Sequence, residues 1–189
     1  MRIPRATHPV LVFAREDDAL RVLRVLPKRF AKYGLQLHPK KTRLVRFTRP
    51  PRGGGSGGPR RESFDFLGFT HYWGRSRKGN PVVKQKTARS RLARSLQRVS
   101  AWCRANRHWP VAEQAQMLGQ KLRGYYGYYG VTGNYPALNA FADQVRAIWR
   151  KWLDRRSWTA RMDWGKFYRL LGRYPLPPPR IVHCYVANS

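Results

Sequence analysis

The hydrophobic periodicity of this sequence changes at Phe64–Phe69. Before this stretch, short apolar runs of strand length surround one helical segment, whereas after it apolar residues recur every three or four positions. Phe64 and Phe66 alternate as in a half-buried strand, and Gly68 marks its end. The stretch is either a strand edge that closes a core or a loop that touches a nucleic-acid strand. The pattern predicts an α+β chain, with short strands and one helix over residues 1–73 and a basic, mostly α-helical bundle over residues 74–189.

The charge of the chain restricts its partners. Lysine and arginine number 39, aspartate and glutamate number 9, and the formal net charge is +30. Nucleic acid is the natural polyanion to neutralise such a chain, because lysine and arginine replace counterions along phosphates. The aromatic residues (Trp 7, Tyr 10, Phe 8) suit RNA, whose unstacked bases lie on rings. An anionic membrane surface is the alternative, but we see no apolar run long enough to span a bilayer and no signal peptide.

The cysteines indicate no metal or disulfide framework. Cys103 and Cys184 stand far apart in sequence, without the paired spacing of a zinc site. His183 beside Cys184 is better explained by chance than as a ligand pair. We therefore expect no cofactor, and a reduced, cytoplasmic location.

Three segments of the N-terminal part have the pattern of strands. Val10–Phe13 is a short continuous apolar run, which is typical of a buried strand, and residues 35–37 and 44–47 alternate. The Gly/Pro/Arg-rich residues 49–61 predict a flexible surface loop that leads to Phe64.

A helix is predicted between the first two of these strands. It begins at Glu16-Asp17-Asp18, is kinked or restarted at Pro27, and ends at Gly34. Adjacent carboxylates suggest a metal site, but three acids at a helix start are more often caps and dipole partners. We favour the second interpretation.

The first segment after Trp73 predicts a basic hairpin around residues 74–79, followed by a long helix that Thr87 caps. The helix has an apolar stripe at Leu92, Leu96, Val99 and Cys103. The arginines Arg91, Arg94 and Arg98 fall on the opposite face. They form either a solvated face or one that follows phosphates, and we favour phosphates because few acids nearby could pair with them.

The next helix starts at Pro110 and carries an apolar stripe from Leu118 to Tyr129. Its opposite face consists of Lys121, Gly124 and Tyr128. Gly124 and Gly127 interrupt a helix interior, where glycine is unfavourable. They permit close approach either of a neighbouring helix or of an RNA backbone.

Two more helices complete the pattern. One starts at Pro136, buries Leu138, Phe141 and Val145, and carries arginines such as Arg150. The other is short and is capped by Asp163. The proline-rich end is expected to be extended.

Short motifs throughout the chain resemble the C-terminal part of group II intron reverse transcriptases, which are also maturases. The motifs are Phe13 with Asp18-Ala19, Val25–Phe30, Gly34-Leu35, Leu37-His38-Pro39, Lys41-Thr42, Phe64–Phe69, His71–Gly74, Arg123-Gly124, Tyr128–Val131 and Arg173–His183. The resemblance implies a partial reverse transcriptase palm with antiparallel strands, followed by a helical thumb and maturase region. In that family the thumb grips the template–primer duplex, and the maturase region binds intron RNA and assists splicing.

At the position of that family's catalytic motif, this chain has different residues. The slot of the Tyr-Ala-Asp-Asp motif, by the register of Val10–Phe13, reads Arg5-Ala6-Thr7-His8. Neither Thr7 nor His8 replaces a carboxylate as a ligand of Mg²⁺. The fingers and the first half of the palm also have no counterpart in the sequence. We therefore expect no catalytic or metal-binding residues and no polymerase activity from this chain alone.

The resemblance and the basic faces together predict a binding surface for intron RNA or a template–primer. In the family, the loop at residues 66–69 is the primer grip. The predicted binding residues are Leu67, Gly68, Phe69, Lys40, Lys41, Arg91, Arg94, Arg98, Lys121, Arg123, Gly124, Tyr128 and Arg150. Two alternatives stay open: the chain is one half of a split polymerase that works with an upstream reverse transcriptase fragment, or it is a general basic nucleic-acid chaperone.

Overall fold

The computed structural model describes residues 10–38, 42–50, 62–157, 159 and 161–184. About 52% of these residues are helical, in five helices, and the strands of this part form one antiparallel sheet of three. The expectation of a mixed helical and antiparallel chain is therefore confirmed. The elements are α1 (Glu16–Ala31), β1 (Phe64–Phe66), β2 (Phe69–Arg75), β3 (Pro81–Thr87), α2 (Arg89–Ala105), α3 (Val111–Tyr129), α4 (Tyr135–Asp154) and α5 (Trp164–Arg173).

The chain divides into two compact units, residues 1–46 and residues 47–189. This division lies upstream of the boundary that the sequence suggested between residues 73 and 74, which falls inside β2. The sheet pairs residues on both sides of that boundary. The hairpin therefore belongs to the same unit as the helices that follow it.

In the first unit, α1 is the regular element of the described part. The predicted strands at Val10–Phe13, 35–37 and 44–47 are wrong, because these segments are irregular. A strand is held by a hydrogen-bonded neighbour, and none of the three has one among the described residues. The apolar run is exposed rather than buried, with Val12 89% exposed.

The ends of α1 follow the sequence signals. Its first turn carries Glu16, Asp17 and Asp18, and the carboxylate of Glu16 pairs with Arg46 at 2.7 Å. Gly34 has φ of 68°, its N–H bonds to the carbonyl of Ala31, and the next N–H reaches back to that of Phe30. These two bonds form a Schellman motif, in which glycine satisfies the last carbonyls of a helix. Pro27 lies inside α1, which neither ends nor restarts there.

The second unit begins with a meander of β1, β2 and β3. Phe66 pairs with Phe69 across a two-residue turn, and β2 and β3 pair from Phe69–Thr87 to Arg75–Pro81. The basic hairpin is confirmed, with a turn in which Ser76 N–H donates to the carbonyl of Asn80 at 2.8 Å. Phe64 and Phe66 are half-buried, and they contact His71 and Phe47 on one sheet face rather than the main core.

The core of this unit lies among the helices. The predicted apolar stripes of α2 and α3 are confirmed: Val99, Cys103, Leu118 and Leu122 are buried, and Leu92 and Leu96 pack against them. Phe167 and Trp149 meet edge to face at 5.6 Å and are fully buried. The core residues are Val99, Cys103, Ala115, Leu118, Leu122, Tyr125, Tyr126, Leu138, Phe141, Ala142, Val145, Trp149, Leu153, Phe167 and Leu176.

Two predicted helix caps have different outcomes. Asp163 does cap α5, since its Oδ1 accepts from the N–H of Lys166 at 2.7 Å. Thr87 does not cap α2, because it is the last residue of β3 and Ala88 is the N-cap. The N–H of Thr87 instead donates to Oδ1 of the buried Asn134 at 2.9 Å, and its Oγ1 accepts from Nδ2 of the same amide. This reciprocal pair joins the sheet to the start of α4.

Candidate nucleic-acid interface

The turn between β1 and β2 has an unusual backbone. Leu67 and Gly68 both have positive φ, at 46° and 82°, as the central residues of a type I′ hairpin turn do. Such turns favour Asn-Gly, and a leucine in this region is strained. The side chain of Leu67 is 60% exposed, so burial does not explain why a leucine stands there.

Helix α3 holds this turn in place. The hydroxyl of Tyr128 donates to the carbonyl of Leu67 at 2.8 Å, and the ring of Tyr128 stacks on Phe69 with centroids 5.9 Å apart. A Cβ added to Gly68 would stand 3.0 Å from the hydroxyl of Tyr129. The close neighbour of Gly68 is therefore a side chain of the same chain. The N–H of Ala88 donates to the carbonyl of Gly68 at 2.9 Å, so the turn is also fixed to the start of α2.

Helix α2 presents an arginine-rich surface beside this turn. It contains five arginines and no acidic residue. Arg91, Arg94 and Arg98 are all exposed, and in the described part of the chain none of them forms an ion pair. Arg91 acts electrostatically on the phenol of Tyr129, whose pKa is raised mainly by burial and lowered in part by this guanidinium. The first turn of α2 therefore lies next to the α3 residues that hold Gly68.

The opposite face of α3 is exposed as the sequence predicted. Lys121, Gly124 and Tyr128 lie on it, although the ammonium group of Lys121 stands over the ring of Trp102, 5.3 Å from its centroid. This contact places Lys121 near the far end of α2 from Arg91. Arg123 is also exposed, but its guanidinium lies beside Gly119. The predicted residues thus extend along two helices rather than gathering in one pocket.

The glycines of α3 differ from the expectation of helix packing. A Cβ added to Gly124 or Gly127 would meet nothing within 4 Å, so no neighbouring helix of the described chain approaches them. The close approach occurs instead at Gly130, where a Cβ would clash with the carbonyl of Tyr126 and lie 2.8 Å from that of Arg180. The carbonyl of Gly130 accepts from the N–H of Val182 at 2.7 Å. Gly130 is therefore the position at which the proline-rich end packs against the bundle.

Three predicted residues lie apart from this surface or outside the described chain. Arg150 is half-buried: its Nη1 donates to the carbonyl of Met162 at 2.8 Å, and its guanidinium lies over Trp164. It tethers the segment before α5 and is not displayed with the α2 arginines. Lys40 and Lys41 fall outside the described residues, as do Thr7 and His8.

Buried polar groups that sequence reasoning missed fix the geometry of the bundle. Gln114 donates through Nε2 to the carbonyl of Trp109 at 2.9 Å and accepts at Oε1 from the indole of Trp149 at 2.9 Å. Asn134 donates to the carbonyl of Tyr129 at 2.8 Å besides pairing with Thr87. In the sequence, the only feature that marks Gln114 and Asn134 is a side-chain amide beside a predicted helix start. Amides on the protein surface have the same feature, so burial could not be predicted from it.

Burial keeps one thiol and two phenols of these helices neutral. Burial raises the pKa of the Cys103 thiol to about 12, with Lys121 opposing it, so a nucleophilic thiolate does not form near neutral pH. Burial likewise raises the pKa of Tyr125 and of Tyr126 to about 12. Within the described ranges, no group of three or more His, Cys, Asp or Glu residues could hold a metal ion.

No helix in the described part of the chain combines the length and apolar character needed to cross a membrane. No protein-family model matches the sequence, and neither a curated protein nor a solved structure matches it.

Proposed function

We propose that this chain is an RNA-binding protein that presents the arginine face of α2 and the adjoining hairpin turn to a structured RNA or a template–primer. The observation that carries the proposal is that α2 contains no acidic residue that could neutralise its arginines. Three exposed arginines recur on one face of a helix that contains no carboxylate. Arg89 and Arg91 also lie in its first turn, where cations oppose the helix dipole. Bound phosphates would neutralise both effects.

The strained turn beside this helix supports the same proposal. A backbone outlier that surrounding contacts hold in place is more frequent at functional sites than elsewhere. Tyr128, Tyr129 and the N–H of Ala88 hold the Leu67–Gly68 turn, while the leucine side chain projects at its tip. We propose that this tip contacts the sugar–phosphate backbone of a bound strand, which is the role of the primer grip in the group II intron reverse transcriptases that the sequence resembles.

The direct test of RNA binding is a titration of a structured RNA with the protein and with a variant in which Arg91, Arg94 and Arg98 are all replaced by glutamine. We expect the variant to bind at least about tenfold more weakly at physiological salt, because three phosphate contacts are lost. Its thermal midpoint should stay within a few degrees of the original, since the three side chains are exposed and form no ion pair with the described residues. Equal affinity of the two proteins would contradict the proposal.

A specific observation favours a second candidate, half of a split RNA-directed DNA polymerase. In the described part of residues 1–46, Ala19 alone is buried, while Leu11 is 53% exposed, Val12 89% and Leu44 44%. Exposed apolar side chains mark an interaction surface where they form one contiguous patch, and we propose that these residues contribute to such a patch. An upstream polypeptide that supplies palm strands would cover them and would provide the carboxylates that Thr7 and His8 lack.

Primer extension on an RNA template with Mg²⁺ separates the two candidates. We expect no extended product from this chain alone. Product that appears only when an upstream fingers–palm polypeptide is added would establish the split enzyme. Product from this chain alone would contradict the assignment of Arg5-Ala6-Thr7-His8 to the catalytic slot.

A further inference from the structure

A cleft lies between α4 and α5, and no residue of α2 lines it. Its volume is about 470 Å³, which falls in the range of ligand pockets. Its walls are made by Asp143 and Arg146 of α4 and by Trp164, Tyr168 and Leu171 of α5, with Leu176 from the proline-rich end. None of the residues predicted to bind RNA lines it.

Two exposed aromatic rings dominate the cleft. Trp164 is 44% exposed and Tyr168 is 62% exposed, whereas the neighbouring Phe167 is fully buried. The two rings lie 5.8 Å apart at 30° to each other, and the guanidinium of Arg150 lies over Trp164, 4.5 Å from its centroid. Aromatic faces flanked by arginines are the surfaces on which unstacked bases bind.

The carboxylate of Asp143 narrows the choice of ligand. It is one of only nine acidic residues in a chain of net charge +30. Its two oxygens are fixed by different donors, Oδ1 by Nη1 of Arg146 at 2.8 Å and Oδ2 by Nδ2 of Asn139 at 3.0 Å. A carboxylate beside the rings repels a phosphate, but it accepts a hydrogen bond from the amino group of a base, as acidic side chains do from N4 of cytosine.

We propose that this cleft binds a single unpaired nucleobase that carries an exocyclic amino group, with cytosine preferred over uracil. The ring of Tyr168 stacks on the base, and Asp143, which Arg146 and Asn139 hold in place, accepts a hydrogen bond from its amino group. The inference rests on the proposed RNA binding and adds a second contact to it, specific for a single-stranded segment next to a duplex.

The test compares three RNA hairpins with the same stem: one blunt, one with a 3′ tail of five cytidines and one with a tail of five uridines. The protein should bind the cytidine tail more tightly than the blunt stem, by about five- to 100-fold, which is the contribution of stacking one base. Tyr168→Ala should remove this preference without changing the affinity for the blunt stem. Tyr168→Phe keeps the ring and should retain it, and Tyr135→Ala, at an exposed tyrosine outside the cleft, should leave it unchanged.

Two further measurements identify how the tail is held. Asp143→Asn should abolish the preference for cytidine over uridine, because an amide can donate to uracil as well as accept from cytosine. The ratio of tailed to blunt affinity should persist at raised salt, since stacking releases no counterions, whereas blunt-stem binding should fall steeply.

The failures of the two proposals differ. Equal affinity for tailed and blunt hairpins, or a tail preference that survives Tyr168→Ala, would overturn the base site and leave RNA binding by α2 intact. Failure to bind any of the three hairpins would overturn the proposed function, and the base site with it.

Discussion

Helices α1 and α2 have similar lengths, 16 and 17 residues, but they differ in both charge and packing. Helix α1 has three acids in its first turn and forms ion pairs through them, yet it buries Ala19 alone. Helix α2 has no acid, yet it buries Val99 and Cys103 and packs two leucines against the core. Helix α2, whose positive charges are not balanced by acidic residues of the same helix, is thus the better packed of the two.

The comparison distinguishes the interactions that stabilise each helix from the side chains with which each helix could bind a partner. Packing against the other helices stabilises α2. Its arginines are therefore not required for the stability of the helix. In α1 the local charges are arranged as a helix end favours, while its apolar side chains other than Ala19 are at most half-buried by the described residues. This contrast is consistent with α2 as a nucleic-acid surface and with residues 1–46 as a surface for another polypeptide.

The largest effect that sharpens this comparison is expected from Trp149→Ala. The side chain is fully buried, so its loss should lower the free energy of unfolding by about 3–5 kcal/mol. It would also leave Oε1 of Gln114 without its donor. Urea unfolding measures the change, with Val12→Ala as the control, which should shift stability by no more than about 0.5 kcal/mol. Equal effects of the two variants would contradict the difference in packing between residues 1–46 and the helical core of residues 47–189.

Asn134→Ala should have the next largest effect, about 1–3 kcal/mol, because it leaves the N–H of Thr87 and the carbonyl of Tyr129 without their buried partner. The matched control is Asn139→Ala, at an exposed amide of the same helix. If Asn134→Ala destabilised the protein no more than Asn139→Ala, the hydrogen bonds that join the sheet to the start of α4 would not stabilise the fold.

Leu67→Asn should raise stability by about 1 kcal/mol, because asparagine tolerates the left-handed backbone that strains leucine. If the leucine contacts a bound strand, the more stable variant should bind an RNA–DNA primer duplex less well. Melting curves and duplex titrations on one preparation measure both quantities. A variant that gained stability and bound with unchanged affinity would remove the turn from the interface.

Gly124→Ala should stabilise α3 by about 0.5–1 kcal/mol, since the helix interior has open space for the added methyl group. The same methyl group should weaken RNA binding if a nucleic-acid backbone approaches that position. Gly172→Ala is the control, because it adds a methyl group at an equally open site on α5. Weakened binding in both variants, or in neither, would argue against close approach at Gly124.

The sequence allowed the helices to be predicted because their signals are local. The stripe from Leu118 to Tyr129, the cap at Asp163 and the stop at Gly34 each depend on residues within a few positions, and all three are confirmed. The strands at 10–13, 35–37 and 44–47 were predicted wrongly because an apolar run becomes a strand only beside a partner, and periodicity carries no information about one.

The candidate site was predictable only in part, for the same reason. Exposure of Arg91, Arg94 and Arg98 follows from helix geometry, so their face could be predicted. The close approach at Gly130 and the tether made by Arg150 depend on chain segments 12 to 50 positions away. The leucine at positive φ could not be recognised either, because the residue type argues against that backbone.

The salt dependence of RNA binding tests the central claim most directly, through two triple variants with the same change in charge. One replaces Arg91, Arg94 and Arg98 with glutamine, and the other replaces Arg21, Arg24 and Arg29 of α1. If the α2 face holds phosphates, the slope of log K against log salt should fall by roughly 2 to 3 units in the first variant, at about 0.7–0.9 per contact, and should stay unchanged in the second. Equal changes of slope in both would show that net charge alone drives binding, as in a general basic chaperone, and would contradict a defined interface on α2.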